Sequence, residues 1–349
     1  MERTESATNL SLTAAANLLF AMALLLLAGA QAQAEEPIAC EGANLVAQLA
    51  TEDPALLREI ENEAAATPNG EGLLWRIEAD GAAPSYLFGT MHVTDPRVTR
   101  LPGQAQEAFD LASTVAIETT QILDEAAMMA AVFEKPGLMM FSQGESLTDH
   151  LTPDQRKIVE EEFEERGAPF DGISKMKPWI LVSLVSMPDC ELKRQQAGAI
   201  ILDAKLAKEA KAAGKKVAGL ETVAEQLSAM ASLPMELHVR GLVGAIELGD
   251  RMDDMIETMV ALYLDGRTGM FRPALGKLLP MGEGEAADYS AFEQRMIDAR
   301  NHVMAERSQK LIEEGGAFIA VGAMHLPGPN GLVELLRKAG YRLSRAERS

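Results

Sequence analysis

Apolar and polar positions along this chain change period more than once, and the changes divide it. From Asn44 to Ala65 apolar residues recur at helical spacing until "TPNGEG", with Pro68 and two glycines, ends the pattern. Two short runs follow, "GLLWRIEA" and "SYLFGT", separated by "DGAAP", and they predict the two strands of a hairpin. A helix from about Gln104 to Ala112 leads into "STVAIETT", where the β-branched run Val115–Ile117 predicts a third strand. Strand, helix and strand within about 30 residues predict a parallel crossover unit.

Between Ile122 and about Met304 the pattern turns helical and rich in methionine. "HLTPDQRKIVEEEFEERG" carries a helix start, with Thr152 as N-cap, Pro153 at the first helical position and Asp154 in the first turn. Leu242, Ile246, Met252, Ile256, Met259 and Tyr263 share one helical face, a stripe read as core or helix contact. One strand interrupts the helices, Lys216–Leu220 in "GKKVAGLE", and alternation returns at the end with strand "AFIAVGA", loop "HLPGPNG", helix Leu332–Ala339 and strand "YRLSR". The predicted fold class is α/β (α+β): a mixed central sheet with flanking helices and a large, mostly helical middle insertion at about 122–304.

The first 34 residues carry an uncharged apolar core from Leu18 to Ala30 and a small-x-small site at Ala32, Gln33 and Ala34, the pattern of a cleaved secretory signal; a retained anchor is the alternative. Residues 35–349 are then expected to form a single domain, exported to the periplasm or outside the cell, with no stable membrane insertion after cleavage. Removing Glu2, Glu5 and Arg3 leaves 50 acids against 31 bases, a net charge of about −19 that argues against nucleic acid and anionic lipid as partners. Cys40 and Cys190 are the only cysteines. In an oxidising compartment such a pair reads as a structural disulfide, with two buried thiols as the alternative.

Four predicted strands end on ionisable residues: His92, Glu118, Glu221 and His325. Ligands of open α/β sheets collect at the carboxyl ends of strands, so these four point to one shared site. Each histidine follows a glycine by three residues, in "YLFGTMH" and "FIAVGAMH". Without a Cβ, Gly89 and Gly322 permit a sharp turn or a close approach that aims the imidazole into a crevice. Two imidazoles with one or two carboxylates suit a divalent ion such as Zn, Mn, Co or Fe. No H-E-x-x-H or G-x-S-x-G occurs, Ser113 and Ser290 have no visible base, and His150, His238 and His302 read as surface residues.

With "YLFGTMHV", "VAIET", "MKPW" at Met176–Trp179, "GKKVAGLETVAEQ" including Gln226, "ARNHVM" with Arg300 and Asn301, and "FIAVGAMHLPGPNGLVELLRKAGY" all in order, the chain resembles the TraB/GumN family, related to the Tiki proteins. That resemblance spans essentially all of residues 35–349. It implies a metal-dependent, peptidase-like hydrolase acting on a peptide or protein, by analogy with Tiki metalloproteases. It also implies a divalent cofactor (Mn, Co or Zn), His92 and His325 as ligands, Glu118 as a further ligand or general base, Glu221 as a further metal partner, and Arg300 as a stabiliser of substrate charge. Thr119 and Thr120 stand where the family often carries a second acid. The rival expectation is an exported protein that holds a metal or another ligand in the same crevice without turnover; Glu118 and Arg300 favour catalysis, because a passive site needs no proton shuttle.

Overall fold

The computed structural model describes residues 38–279 and 290–346, so the expected signal segment lies outside the described residues. From Cys40 onward the chain gathers into one compact unit. Its centre is a six-stranded mixed sheet of β1 (Leu74–Glu78), β2 (Ser85–Thr90), β3 (Thr114–Ile117), β4 (Lys216–Gly219), β5 (Ala317–Gly322) and β6 (Arg342–Arg345), ordered β4-β3-β5-β2-β1-β6. All six are the strands expected from the sequence. β4, β3, β5 and β2 are mutually parallel, and β1 is antiparallel to both β2 and β6.

The crossover from β2 through helix Gly103–Leu111 to β3 is parallel as expected, yet the two strands are not neighbours, because β5 lies between them. That insertion sets the two glycine–histidine segments, more than 200 residues apart in sequence, side by side. β5 pairs Val321 with Gly89 and Gly322 with Thr90, so both histidines leave adjacent strands at the same edge. β5 is apolar and buried throughout, as a central strand covered on both faces must be. Its alternation feeds two cores. Phe318 and Ala320 join Phe88, Val115 and Ile117 on one face; Ile319 and Val321 join Ile77, Leu87 and Leu336 on the other.

The helical middle has a third core around Phe141, Leu147, Val159, Phe163, Leu181 and Leu242. The start of helix Pro153–Glu165 is as read from sequence, with a reciprocal Thr152–Gln155 capping box. Two expected continuous helices are broken. The segment from Asn44 to Ala65 divides into Leu45–Glu52 and Pro54–Ala65, because a residue before proline is forced out of the helical region; Asp53 sits at φ −146° and caps Leu56 N with its side chain. The methionine stripe divides at Gly249, φ 48°, into helices Met235–Leu248 and Arg251–Leu264. As a result Leu242, Ile246 and Met252 pack on the third core, while Ile256, Met259 and Tyr263 pack on the first.

Cys40 and Cys190 form a disulfide across 150 residues of sequence. It ties the N-terminal segment to helix Asp189–Gln196, and the same segment is held to helix Arg251–Leu264 by Ala43 N donating to Asp254 Oδ1 (2.7 Å) and Leu45 N donating to Thr258 Oγ1 (2.8 Å). Replacing both cysteines with serine is expected to lower stability by about 2–5 kcal/mol. Urea unfolding of the two proteins side by side measures it, and superimposable curves would deny the bridge any stabilising role. Among the described residues no helix is long and apolar enough to cross a membrane.

Candidate functional site

The carboxyl edge of the parallel strands brings His92, Glu118, Glu221, Arg300 and His325 together. Glu118, directly after β3, is the centre. Its Oε1 accepts a hydrogen bond from Gly322 N (2.8 Å) and lies 3.7 Å from His92 Nε2 and 3.8 Å from His325 Nε2. Its Oε2 accepts from Gln226 Nε2 (3.0 Å) and Arg300 Nη2 (2.7 Å). Burial alone would push the Glu118 carboxyl up, but His92, His325 and Arg300 outweigh it and hold the group well below its usual range.

The two imidazoles differ in surroundings. His325 is buried, and its Nδ1 lies 2.7 Å from Asn301 Oδ1. Asn301 Nδ2 donates to Asn330 O at 2.8 Å, which fixes Oδ1 as the acceptor. Nδ1 of His325 therefore carries the proton, and its Nε2 lone pair faces Glu118. Burial, with Arg300 and His92 nearby, pushes the pKa of His325 down to about 4 despite the pull of Glu118. His92 leaves 51% of its side chain exposed, with Nδ1 3.2 Å from Asp203 Oδ2. Burial of its inner edge lowers its pKa, yet Asp203 and Glu118 outweigh that effect and raise it to about 10, a pull that solvent at the exposed face tempers.

Glu221 and Arg300 are placed differently from expectation. Arg300 Nε and Nη2 donate to both oxygens of Glu221 at 2.7–3.1 Å, and Nη1 donates to Met296 O at 3.3 Å. Glu221 thus faces the guanidinium rather than the histidines, and Arg300 links the two carboxylates. Neither motif glycine has a positive φ. Each serves close approach instead: a Cβ on Gly89 would meet Leu326 Cδ1 at 2.7 Å, and one on Gly322 would lie 3.2 Å from Glu118 Oε1, 3.4 Å from His325 Cδ2 and 3.5 Å from His92 Nε2. Tyr263 Oη donates to Gly89 O (2.9 Å) and pins the first motif.

These residues fit a divalent ion. The space in front of Gly322 is shared by Glu118 Oε1 and both histidines, and the donors are one carboxylate and two imidazoles. Among the described residues no three such side chains already sit at the spacing of a metal site. The gaps of 3.7 and 3.8 Å exceed by a few tenths the roughly 3–3.5 Å between ligands that each lie about 2.1 Å from one ion. A hollow of about 910 Å³ between Thr120, Met129, Lys211 and Val217 contains none of these groups, and donor chemistry rather than size marks the site.

The sequence alone assigns no role at the site to Asp203, Asn301, Gln226 or Thr90, and reads Tyr263 only as part of an apolar helical stripe. Asn301 and Gln226 stood inside stretches that were singled out; Asp203 left a signal too, an acid on the inward face of helix Leu202–Ala212 beside Leu206, Ala207 and Ala210. Of the three histidines read as surface residues, His302 is exposed and His150 is half-buried. His238 is buried instead: it lies on the inner face of its helix, with Nε2 3.0 Å from Met230 O.

The fold is that of an α/β protein with a mixed sheet, and the histidine–carboxylate cluster lies at the carboxyl edge of its parallel strands. More narrowly, the TraB/PrgY/gumN family model matches residues 73–345, and the chain belongs to that family. It is similar to Metalloprotease TIKI1 of Homo sapiens (26% identical, 78% of this chain and 61% of the relative) and of Xenopus tropicalis (25%, 77% and 60%). A Metalloprotease TIKI homolog of Nematostella vectensis is 24% identical over 78% of this chain and 66% of its own. The chain thus spans about 60% of the length of the first curated relatives it matches. No solved structure matches it.

Proposed function

We propose that this protein is an exported, periplasmic or extracellular, metal-dependent hydrolase that cleaves a peptide or protein. The observation that carries this reading is the convergence of His92 Nε2, His325 Nε2 and Gly322 on a single oxygen of Glu118. His92, His325 and Glu118 would hold the ion. A bound divalent ion supplies Lewis acidity toward a peptide carbonyl. Glu118, held in its charged form, acts as a ligand rather than a proton shuttle. Asn301 keeps the His325 lone pair turned inward, and Arg300 with Gln226 fixes Glu118 from behind. The exposed face of His92 is the side from which a substrate can approach. The names of the curated relatives support a peptide substrate. The test is metal content of the purified protein together with cleavage of a peptide library before and after chelation. Stoichiometric metal with no cleavage would leave a binding protein instead.

Two outcomes check the donor set. Gly322→Ala is expected to weaken metal binding by about 10-fold or more, since its Cβ would stand in the space the three donors share; unchanged affinity would move the ion elsewhere. Zinc binding at about pH 7 is expected to release roughly one proton, from His92, because the neutral ring is the ligand. His325, already neutral above about pH 4, contributes none. Affinity should therefore rise with pH across the neutral range. Calorimetry in buffers of different ionisation enthalpy reads the proton, and zero release would remove His92 from the ligand set.

A further inference from the structure

One buried carboxylate oxygen beside the site has no hydrogen-bond donor. Asp203 is 2% exposed; its Oδ1 accepts from the buried Thr90 Oγ1 at 3.0 Å, whereas Oδ2 is left without a donor. Oδ2 lies 3.2 Å from His92 Nδ1, within ion-pair reach but without the alignment of a hydrogen bond. A buried acceptor left bare is costly, and the ring nitrogen that stands beside this one belongs to His92, whose side chain is half exposed.

We infer that Asp203 is the positioning residue of His92: its Oδ2 accepts a hydrogen bond from Nδ1–H and holds the ring with Nε2 directed at Glu118. Three placements carry this. Thr90, the last residue of β2, anchors Oδ1 two residues before His92, so the carboxylate is tied to the strand that delivers the imidazole. Asp203 occupies the first turn of helix Leu202–Ala212, where the backbone amides favour a negative charge. Asn301 holds Nδ1 of His325 in the same way, so both rings present Nε2 to one oxygen through a fixed partner at Nδ1. An oxygen partner on the far nitrogen orients a metal-binding imidazole and makes it a better ligand. The inference rests on the proposed metal site for its consequence, though not for the contact itself.

The experiment compares the purified full chain as wild type, Asp203→Asn, Asp203→Ala and Thr90→Val, with ring-¹⁵N histidine and with His92→Gln to assign the signals. Metal-free wild type is expected to show a His92 Nδ1–H resonance slow to exchange with water, lost in Asp203→Ala and broadened in Thr90→Val. Zinc affinity, measured by competition with a chelator, should fall about 10-fold in Asp203→Asn and up to about 100-fold in Asp203→Ala, with thermal unfolding as the fold control. A bare Nδ1 in wild type, or the same resonance in Asp203→Ala, overturns the inference. If wild type takes up no zinc but its Nδ1–H signal depends on Asp203, the positioning contact stands and the metal reading fails. If zinc binds equally well to Asp203→Ala with the resonance lost, Asp203 touches the ring without tuning the ligand, and the inference is overturned.

Discussion

If the proposed metal-dependent hydrolase is what the site forms, His325→Ala is expected to abolish metal binding and peptide cleavage while leaving the fold in place. Its Nε2 lone pair is directed at Glu118 because Asn301 holds the proton on Nδ1, and no neighbouring side chain can supply an equivalent donor from within the β5 turn. Loss of affinity should exceed the roughly 10–100-fold that removal of an outer partner costs. The fold is expected to survive because β5 itself is buried throughout and packed by apolar cores on both faces. A smaller cost, about 1–3 kcal/mol, is expected from leaving the buried Asn301 Oδ1 without a donor. The double variant His325→Ala/Asn301→Ala should recover part of that cost in urea unfolding, since the orphaned acceptor is gone. Zinc titration and cleavage assays on the single variant decide the main point. Retained stoichiometric zinc would place the ion on other residues.

The strands and their polar ends were legible because both are local properties. Short apolar runs mark the strands, aromatic and aliphatic in β1 and β2 and rich in valine and isoleucine in β3 and β5, and His92, Glu118, Glu221 and His325 each close such a segment. The order of the sheet was not legible. Nothing near Phe318 says that β5 will enter between β2 and β3, because that choice depends on contacts such as Phe318 stacked on Phe88 and edge-to-face with Phe109, more than 200 residues away in sequence. The breaks at Asp53 and Gly249 had visible causes, a following proline and a glycine, which the apolar periodicity across them masked. Glu221 could be placed at the site but not aimed: its ion pair with Arg300 spans 79 residues and is decided by how helix Ala299–Glu314 packs on the sheet. Burial of His238 was hidden for the same reason, since its helix faces a core assembled from distant segments.

The ion pairs of Arg300 lead to the largest expected effect on stability. Its guanidinium is the cation between two buried carboxylates, reaching Glu118 Oε2 and Glu221 Oε2 at 2.7 Å each through Nη2 and Glu221 Oε1 at 3.1 Å through Nε. Arg300→Met keeps most of the side-chain length and removes the charge, so Glu118 and Glu221 would share only Gln226 Nε2, at 3.0 and 3.4 Å. Breaking a buried pair from one side costs about 3–5 kcal/mol, because uncompensated charge remains. The pH dependence follows from Glu118. In the wild type its folded-state pKa lies well below the ordinary value of 4.5, so its contribution is complete above that value and is lost as pH falls toward the folded one. The variant lacks one of the groups that hold Glu118 down, so it loses less on acidification. The gap between the two proteins should be widest near about pH 7 and should narrow below about pH 4.5. Arg300→Lys should fall between them, since a single ammonium cannot donate in the planar fork that spans both carboxylates. Urea midpoints of the three proteins at both ends of that pH range provide the measurement. Equal stability of wild type and Arg300→Met at neutral pH would mean that Glu118 and Glu221 find other compensation, and the account of Arg300 as the group that fixes Glu118 would fall with it.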